Sequence, residues 1–201
     1  MVSWIWRQRR RAKERALAFW RRWVPTRFAL DCAGVAAVEF AILLPVMLLL
    51  YVGGTEISEG FTVKNKATSV TSAVGDLVTR TKAITTSQMK DILDAAASVI
   101  APYSVDKLKI KVSSVSIDNK SVAKVVWSAA RNDTPLAENA VVSLPPGVAY
   151  PNTYVIVTEV HYAYTPSIGY AISGTLDVGG TSYSKPRLSN AVCYNSKCVL
   201  N

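Results

Sequence analysis

Gly34-Val35-Ala36-Ala37-Val38-Glu39-Phe40-Ala41-Ile42-Leu43-Leu44-Pro45-Val46-Met47-Leu48-Leu49-Leu50-Tyr51-Val52-Gly53-Gly54 is the stretch on which the architecture turns. From Val35 to Gly54 it counts 20 residues, and Glu39 is the only charged one. At about 1.5 Å per residue, a helix of that length spans roughly 30 Å, the thickness of a bilayer's hydrocarbon core. An acid at the centre of such a helix costs on the order of 2.5–3.5 kcal/mol, so its presence calls for a partner. Cutting the chain after Gly34 supplies one. Val35 then acquires a free α-amino group, cationic near neutral pH because its reference pKa is about 8. Val35 and Glu39 stand at i and i+4, on the same side of the helix, and a helix N-terminus favours the anion. In an uncut chain, Glu39 instead reaches for the headgroups near the start of the helix.

Working outward toward the N-terminus, the chain turns strongly basic. Arg7, Arg9, Arg10, Arg11, Lys13, Arg15, Arg21, Arg22 and Arg27 stand against Glu14 and Asp31, a surplus of seven out of the whole chain's +9. The 167 residues after Gly34 hold 14 cations and 12 anions. Charge gathered on one side of a spanning segment is a topology signal rather than a nucleic-acid footprint, and no nucleic-acid partner is expected. It places residues 1–34 in the cytoplasm and the C-terminal part across the membrane. Trp4, Trp6, Trp20 and Trp23 lie in the basic segment. Residues 4–23 read either as a basic amphipathic helix on anionic lipid or as a leader that is removed. Pro25 and the lack of a clean apolar stripe favour the leader. A secretory signal peptide has an apolar region of about 7–15 residues before a small-x-small site. This run is longer, and no convincing site follows Gly53-Gly54.

Glycine followed five positions later by glutamate, with aromatic Phe40 next, resembles the processing site of type IV pilin-like proteins. With the basic flank and Pro45 in the apolar run, it is most similar to the TadE-like pseudopilins of the tight-adherence (Tad) pilus. Trp127-Ser128, Tyr154 to Pro166, and Tyr183-Ser184-Lys185-Pro186-Arg187 resemble recurrent stretches of the same family. The long tryptophan-rich leader and Cys32, two residues before the glycine, depart from the pattern. The resemblance implies cleavage after Gly34 by a prepilin peptidase, with Gly34, Val35, Glu39 and Phe40 as the processing residues. It also implies that Glu39 pairs with the new amine of a neighbouring subunit. The implied partners are the peptidase, the major pilin and other minor pilins, the inner-membrane assembly platform and the lipid bilayer. The implied location is the bacterial inner membrane, single-pass, with the C-terminal domain exported and available to the pilus.

Beyond Gly54, 147 residues remain, enough for one domain with a core. Val63, Ala67, Val70, Val74, Leu77 and Val78 recur at helical steps over 55–84. A second helix is predicted over 87–100, capped by Thr86 or Ser87, with Met89, Ile92, Leu93, Ala96 and Ile100 inward and Pro102 ending it. Leu108, Ile110 and Val112 then alternate with Lys107, Lys109 and Lys111, a strand with one dry face. A shift at Ser113-Ser114 predicts a bulge. Asp118-Asn119-Lys120 reads as a turn, Val122–Ser128 as the returning strand and 132–151 as loop. A long strand is predicted over Thr153–Thr165. Two short ones follow at 170–178 and 181–187, with Gly179-Gly180 as the turn between them. The expected fold is therefore α+β and pilin-like. A transmembrane helix over 35–54 follows the leader 1–34, continues into an amphipathic helix, and packs there on an antiparallel sheet in the domain 55–201.

Cys193 and Cys198 both fall on the exported, oxidising side with four residues between them, which suits a disulfide closing a small loop. The chain-entropy model gives such a ring roughly 2 kcal/mol. The intervening Tyr194-Asn195-Ser196-Lys197 offers no further metal ligand, so neither metal nor other cofactor is expected. The single histidine, His161, sits beside Glu159 on a strand without nucleophile-elbow context. Glu56 and Glu59 read as interfacial charges. Tyr150, Tyr154, Tyr162, Tyr164 and Tyr170 read as cross-strand packing. An enzyme is not expected. The competing reading is an unprocessed single-pass protein whose ectodomain binds an envelope partner.

Overall fold

The computed structural model describes residues 33–166, 168–169 and 173–198. The basic leader, with Cys32 and the two readings of residues 4–23, lies outside the described residues. The chain divides into two compact units between Tyr51 and Val52.

Helix α1 runs Ala33–Thr79 with Pro45 inside it. In the first unit, every described side chain from Gly34 to Tyr51 is exposed. In the second unit the same helix becomes one-sided. Val63, Ala67, Val70, Val74 and Val78 have no exposed surface, at the steps of four and three that keep one face inward. Leu77, expected among them, is 43% exposed. It precedes Val78 by one residue, about 100° of helical rotation, which sets it at the edge of the stripe rather than on it.

Helix α2 spans Thr86–Ala97. Its cap is Thr85, one residue before the nearer of the two predicted positions, Thr86 and Ser87. The Thr85 hydroxyl accepts from the Gln88 amide, and the Gln88 side chain accepts from the Thr85 amide at 2.9 Å. This reciprocal box satisfies two otherwise orphaned donors. α2 stops at Ala97 rather than residue 100, and Ser98–Ile100 tightens into a 3-10 turn. Met89, Leu93, Ala96, Ala97 and Ile100 are buried, while Ile92 packs at the margin.

Two-residue strand β1 (Ala83–Ile84) is followed by β2 (Leu108–Ile117), β3 (Ala123–Arg131), β4 (Val141–Val142), β5 (Thr153–Tyr164), β6 (Leu176–Ser184) and β7 (Cys193–Tyr194). The main sheet is antiparallel, ordered β4-β3-β2-β5-β6. Val112 stands opposite Ala129 on one side and Thr158 on the other. Register shifts between Ser114 and Val115, where the sequence loses its alternation. The shift splits the core. Leu108, Ile110, Val112, Trp127, Ile156, Val160, Tyr162 and Tyr164 join the helical residues in one cluster. Val115, Ile117, Ala123, Val155 and Val157 form another, with Val142, Leu144 and Val148 packed on it from the predicted loop region. Helices on one face of an antiparallel sheet make an α+β domain, as the sequence pattern predicts.

The predicted break at Gly179-Gly180 is corrected. β6 is one continuous strand through both glycines, with Gly179 opposite His161 and Gly180 opposite Val160. A Cβ at Gly179 would collide with the Val160 carbonyl, so this glycine admits close backbone approach and makes no turn. Residues 170–172 of the predicted earlier strand lie outside the described residues.

β1 and β7 pair in parallel, Ala83 with Cys193 and Ile84 with Tyr194. The tail is fastened from the sheet side as well. Trp127 Nε1 donates to the Val192 carbonyl at 2.7 Å, and the Trp127 and Tyr194 rings lie 5.4 Å apart. A buried indole N–H needs such an acceptor.

Candidate processing and anchoring site

Gly34, Val35, Glu39 and Phe40 all lie on α1, in its first described residues. Val35 is 55% and Phe40 59% exposed, and nothing lies within 4 Å of the place a Cβ would take on Gly34. The helix presents Val35 and Glu39 one turn apart on the same side. Pro45 contributes no amide hydrogen, so the ladder lacks one bond in the middle of the apolar run. By length and composition, the helix from Gly34 is able to cross a membrane, and its apolar window is wholly unburied by protein.

Past Gly54 the structure adds what the sequence does not announce. Glu56 is 3% exposed and holds an interaction, so it is no surface charge. Glu59 is exposed and accepts from the buried Tyr164 hydroxyl at 3.4 Å. Burial first, then the charge and hydrogen bond of Glu59, push the Tyr164 phenol above its ordinary range. An acid at a lipid-water boundary and a buried acid look identical in sequence. The signal available was Tyr164 itself, an inward residue of β5 with a hydroxyl to satisfy.

On the sheet face opposite α1, His161 Nδ1 lies 2.8 Å from Asp177, both at least half exposed. Their meeting follows from the β5–β6 register, which sets His161 against Gly179 and Asp177 against Ala163. Lys111 sits between Asp133 at 3.1 Å and Glu159 at 3.7 Å. The Thr134 amide first, and Lys111 second, hold the Asp133 carboxyl below its usual range. Among the described residues, no three His, Cys, Asp or Glu side chains gather as a metal site would require.

Cys193 and Cys198 stand at disulfide distance, with Cα atoms 4.8 Å apart, around a turn in which Asn195 and Ser196 take positive φ. The Asn195 side chain accepts from the Thr86 amide at 3.0 Å and donates to the Thr86 hydroxyl at 2.5 Å, tying the tail to the start of α2.

The family model of TadE-like proteins matches residues 34–76. No curated protein and no solved structure matches the chain. The matched segment opens on Gly34, takes in Glu39, Phe40 and Pro45, and ends at Asp76 on the inward-packing part of α1. Trp127-Ser128 and the later resembling stretches lie beyond it. Over residues 34–76, the chain is therefore similar to TadE-like proteins.

Proposed function

We propose that this protein is a minor pilin or pseudopilin of a bacterial tight-adherence pilus. It is made as an inner-membrane precursor with its leader in the cytoplasm. A prepilin peptidase cuts between Gly34 and Val35, and the ectodomain meets the major pilin, other minor pilins and the assembly platform, serving pilus assembly and surface adhesion. The observation that carries this reading is the Gly34-to-Glu39 spacing at the mouth of an exposed apolar helix, inside the TadE-like segment. Chemistry supports it. Cutting there creates the one cation that an acid in lipid lacks. No step of this role asks the domain to catalyse anything, and we read it as a non-enzyme.

Gly34→Leu tests the processing step. A bulky side chain in place of a hydrogen is expected to block cutting, so that the precursor accumulates in the membrane and is missing from sheared pili. A Gly34→Leu protein that is cut and incorporated normally contradicts the reading.

A further inference from the structure

At the end of the domain where α1 stops, three segments enclose a cleft of about 730 Å³. Small-ligand sites run from about 300 to 1,000 Å³. One wall is the end of β2 with its turn to β3, and the second is the start of β5. The third is the stretch 185–190 between β6 and β7.

Each wall is held by contacts of its own. The Asp118 carboxylate accepts from the Lys120 and Val122 amides, both at 2.8 Å, and fixes the β2–β3 turn. The Thr153 hydroxyl donates to the Tyr150 carbonyl at 2.6 Å, beside Asn152, whose φ of 56° is left-handed. The Arg187 amide donates to the Thr79 carbonyl at 3.0 Å, and its guanidinium meets Asp76 at 3.0 Å. Those two contacts pin the third wall to the end of α1. Walls set before a ligand arrives leave less to be ordered on binding.

The same contacts occupy the charges of the cleft. Asp118 is committed to two amides, and Lys185 Nζ lies over the Tyr150 ring, 4.6 Å from its centroid. What remains is neutral and hydrogen-bonding. Asn119, Asn152 and Asn190 come one from each wall. Their side-chain amides are exposed and have no hydrogen-bond partner among the described residues. A carboxamide offers an acceptor and two donors, the match for a hydroxyl that both donates and accepts. Tyr154, half-buried in the same lining, adds aromatic surface. One exposed asparagine is ordinary. Three from separate segments around one cleft make a recognition set.

The set selects a class of ligand. A phosphate or sulfate would find one cation already seated on a ring, and a carboxylate to repel it. A metal ion would find a single carboxylate. A peptide held by its main chain needs a bare strand edge, and in β2 and β5 at the cleft only Thr153 to Val155 lack a second ladder partner. A sugar fits, with hydroxyls for the amides and a C–H face for the ring.

We propose that this cleft is a saccharide-binding site, which takes a neutral oligosaccharide of a few rings. Such a ligand gives surface adhesion a point of contact. The site itself depends neither on cleavage after Gly34 nor on the reading of residues 35–54 as an anchor.

The full chain, purified in a detergent without a sugar headgroup, is applied to an array of oligosaccharides. Neutral oligomers of glucose, galactose, mannose and N-acetylglucosamine stand beside sialylated and sulfated ones. The expected result is binding to at least one neutral compound. That compound is then titrated into Asn119→Ala, Asn190→Ala and Asn152→Gly chains, glycine keeping the left-handed backbone at 152. Each variant is expected to bind about three- to tenfold more weakly, the loss of one or two hydrogen bonds. Asn65→Ala, at an exposed position of α1, leaves binding unchanged. Circular dichroism checks that every variant is folded. In the wild-type chain, the same titration is expected to shift the side-chain amide resonances of Asn119, Asn152 and Asn190, a readout that needs no variant. A wild-type chain that binds no neutral oligosaccharide, or only charged ones, overturns the proposal. So does binding that leaves the three amides unmoved, or that the three cleft variants leave unchanged.

Discussion

In the proposed function, Glu39 is the residue on which processing and assembly separate. A peptidase acting after Gly34 reads the small residue at the cut, whereas the carboxylate is needed only once the new amine must be paired inside lipid. Glu39→Val removes the costly charge and its pairing together. The expected outcome is a protein still cut at Gly34, by mass spectrometry of the membrane fraction, but absent from sheared pili by immunoblot. Normal piliation by the variant contradicts the proposed charge pair. Other residues show why single positions read unevenly from sequence. The inward set on α1 was legible because burial repeats at 3.6 residues, and only Leu77 strayed. Glu56 was not legible, because nothing local distinguishes an acid facing water from one buried by the folded domain. Asp177 as the partner of His161 was equally hidden, since register alone joins them.

At the scale of elements, the seam between α1 and the sheet depends on small groups. A Cβ added at Gly75 would stand 3.2 Å from Ser182 Oγ, 3.4 Å from Ser184 Oγ and 3.5 Å from Thr158 Oγ1. Ser182 Oγ reaches the Thr71 carbonyl at 3.5 Å, and the buried Ser114 and Thr158 hydroxyls have no hydrogen-bond partner among the described residues. Helix and sheet approach closely here because glycine, serine and threonine leave the space. Gly75→Leu forces a branched side chain into it. Overpacking of this kind costs about 1–3 kcal/mol, more than the roughly 1 kcal/mol a better helix former returns. The midpoint of denaturant unfolding for the detergent-solubilised chain is expected to fall. An unchanged or raised midpoint shows that the seam is slack. Element identity was largely legible: two helices, the Lys-alternating strand, the bulge at Ser114 and the long β5 all follow local patterns. The parallel β1–β7 pair was not, because two-residue strands over a hundred positions apart leave no periodic trace. β6 was misread because Gly179-Gly180 has the composition of a turn, while the requirement it meets is proximity to the Val160 carbonyl.

For the whole molecule, pH response follows from the groups the fold perturbs. Lys90 first, and Arg131 second, draw the Asp94 carboxyl below its ordinary 3.8 by hydrogen bonding, and Asp133 is lowered likewise. Depressed carboxylates add stability above the unfolded value and lose it as pH falls through the folded one. Burial raises the Tyr162 and Tyr164 phenols above 10, a contribution complete below that pH and lost above it. Stability is therefore expected to hold level from about pH 5 to 9 with respect to these groups and to decline on both sides. Thermal unfolding followed by circular dichroism across pH checks this, and a chain more stable at pH 3 than at pH 6 contradicts it. In the proposed function a new chain end at Val35 completes a charge pair with Glu39 within lipid. Intact-mass and N-terminal analysis of the protein extracted from the membranes of its own cells decides whether that chain end exists. A chain beginning at Val35 with a free amine is expected; a chain still beginning at Met1, carrying its leader, contradicts the charge pair.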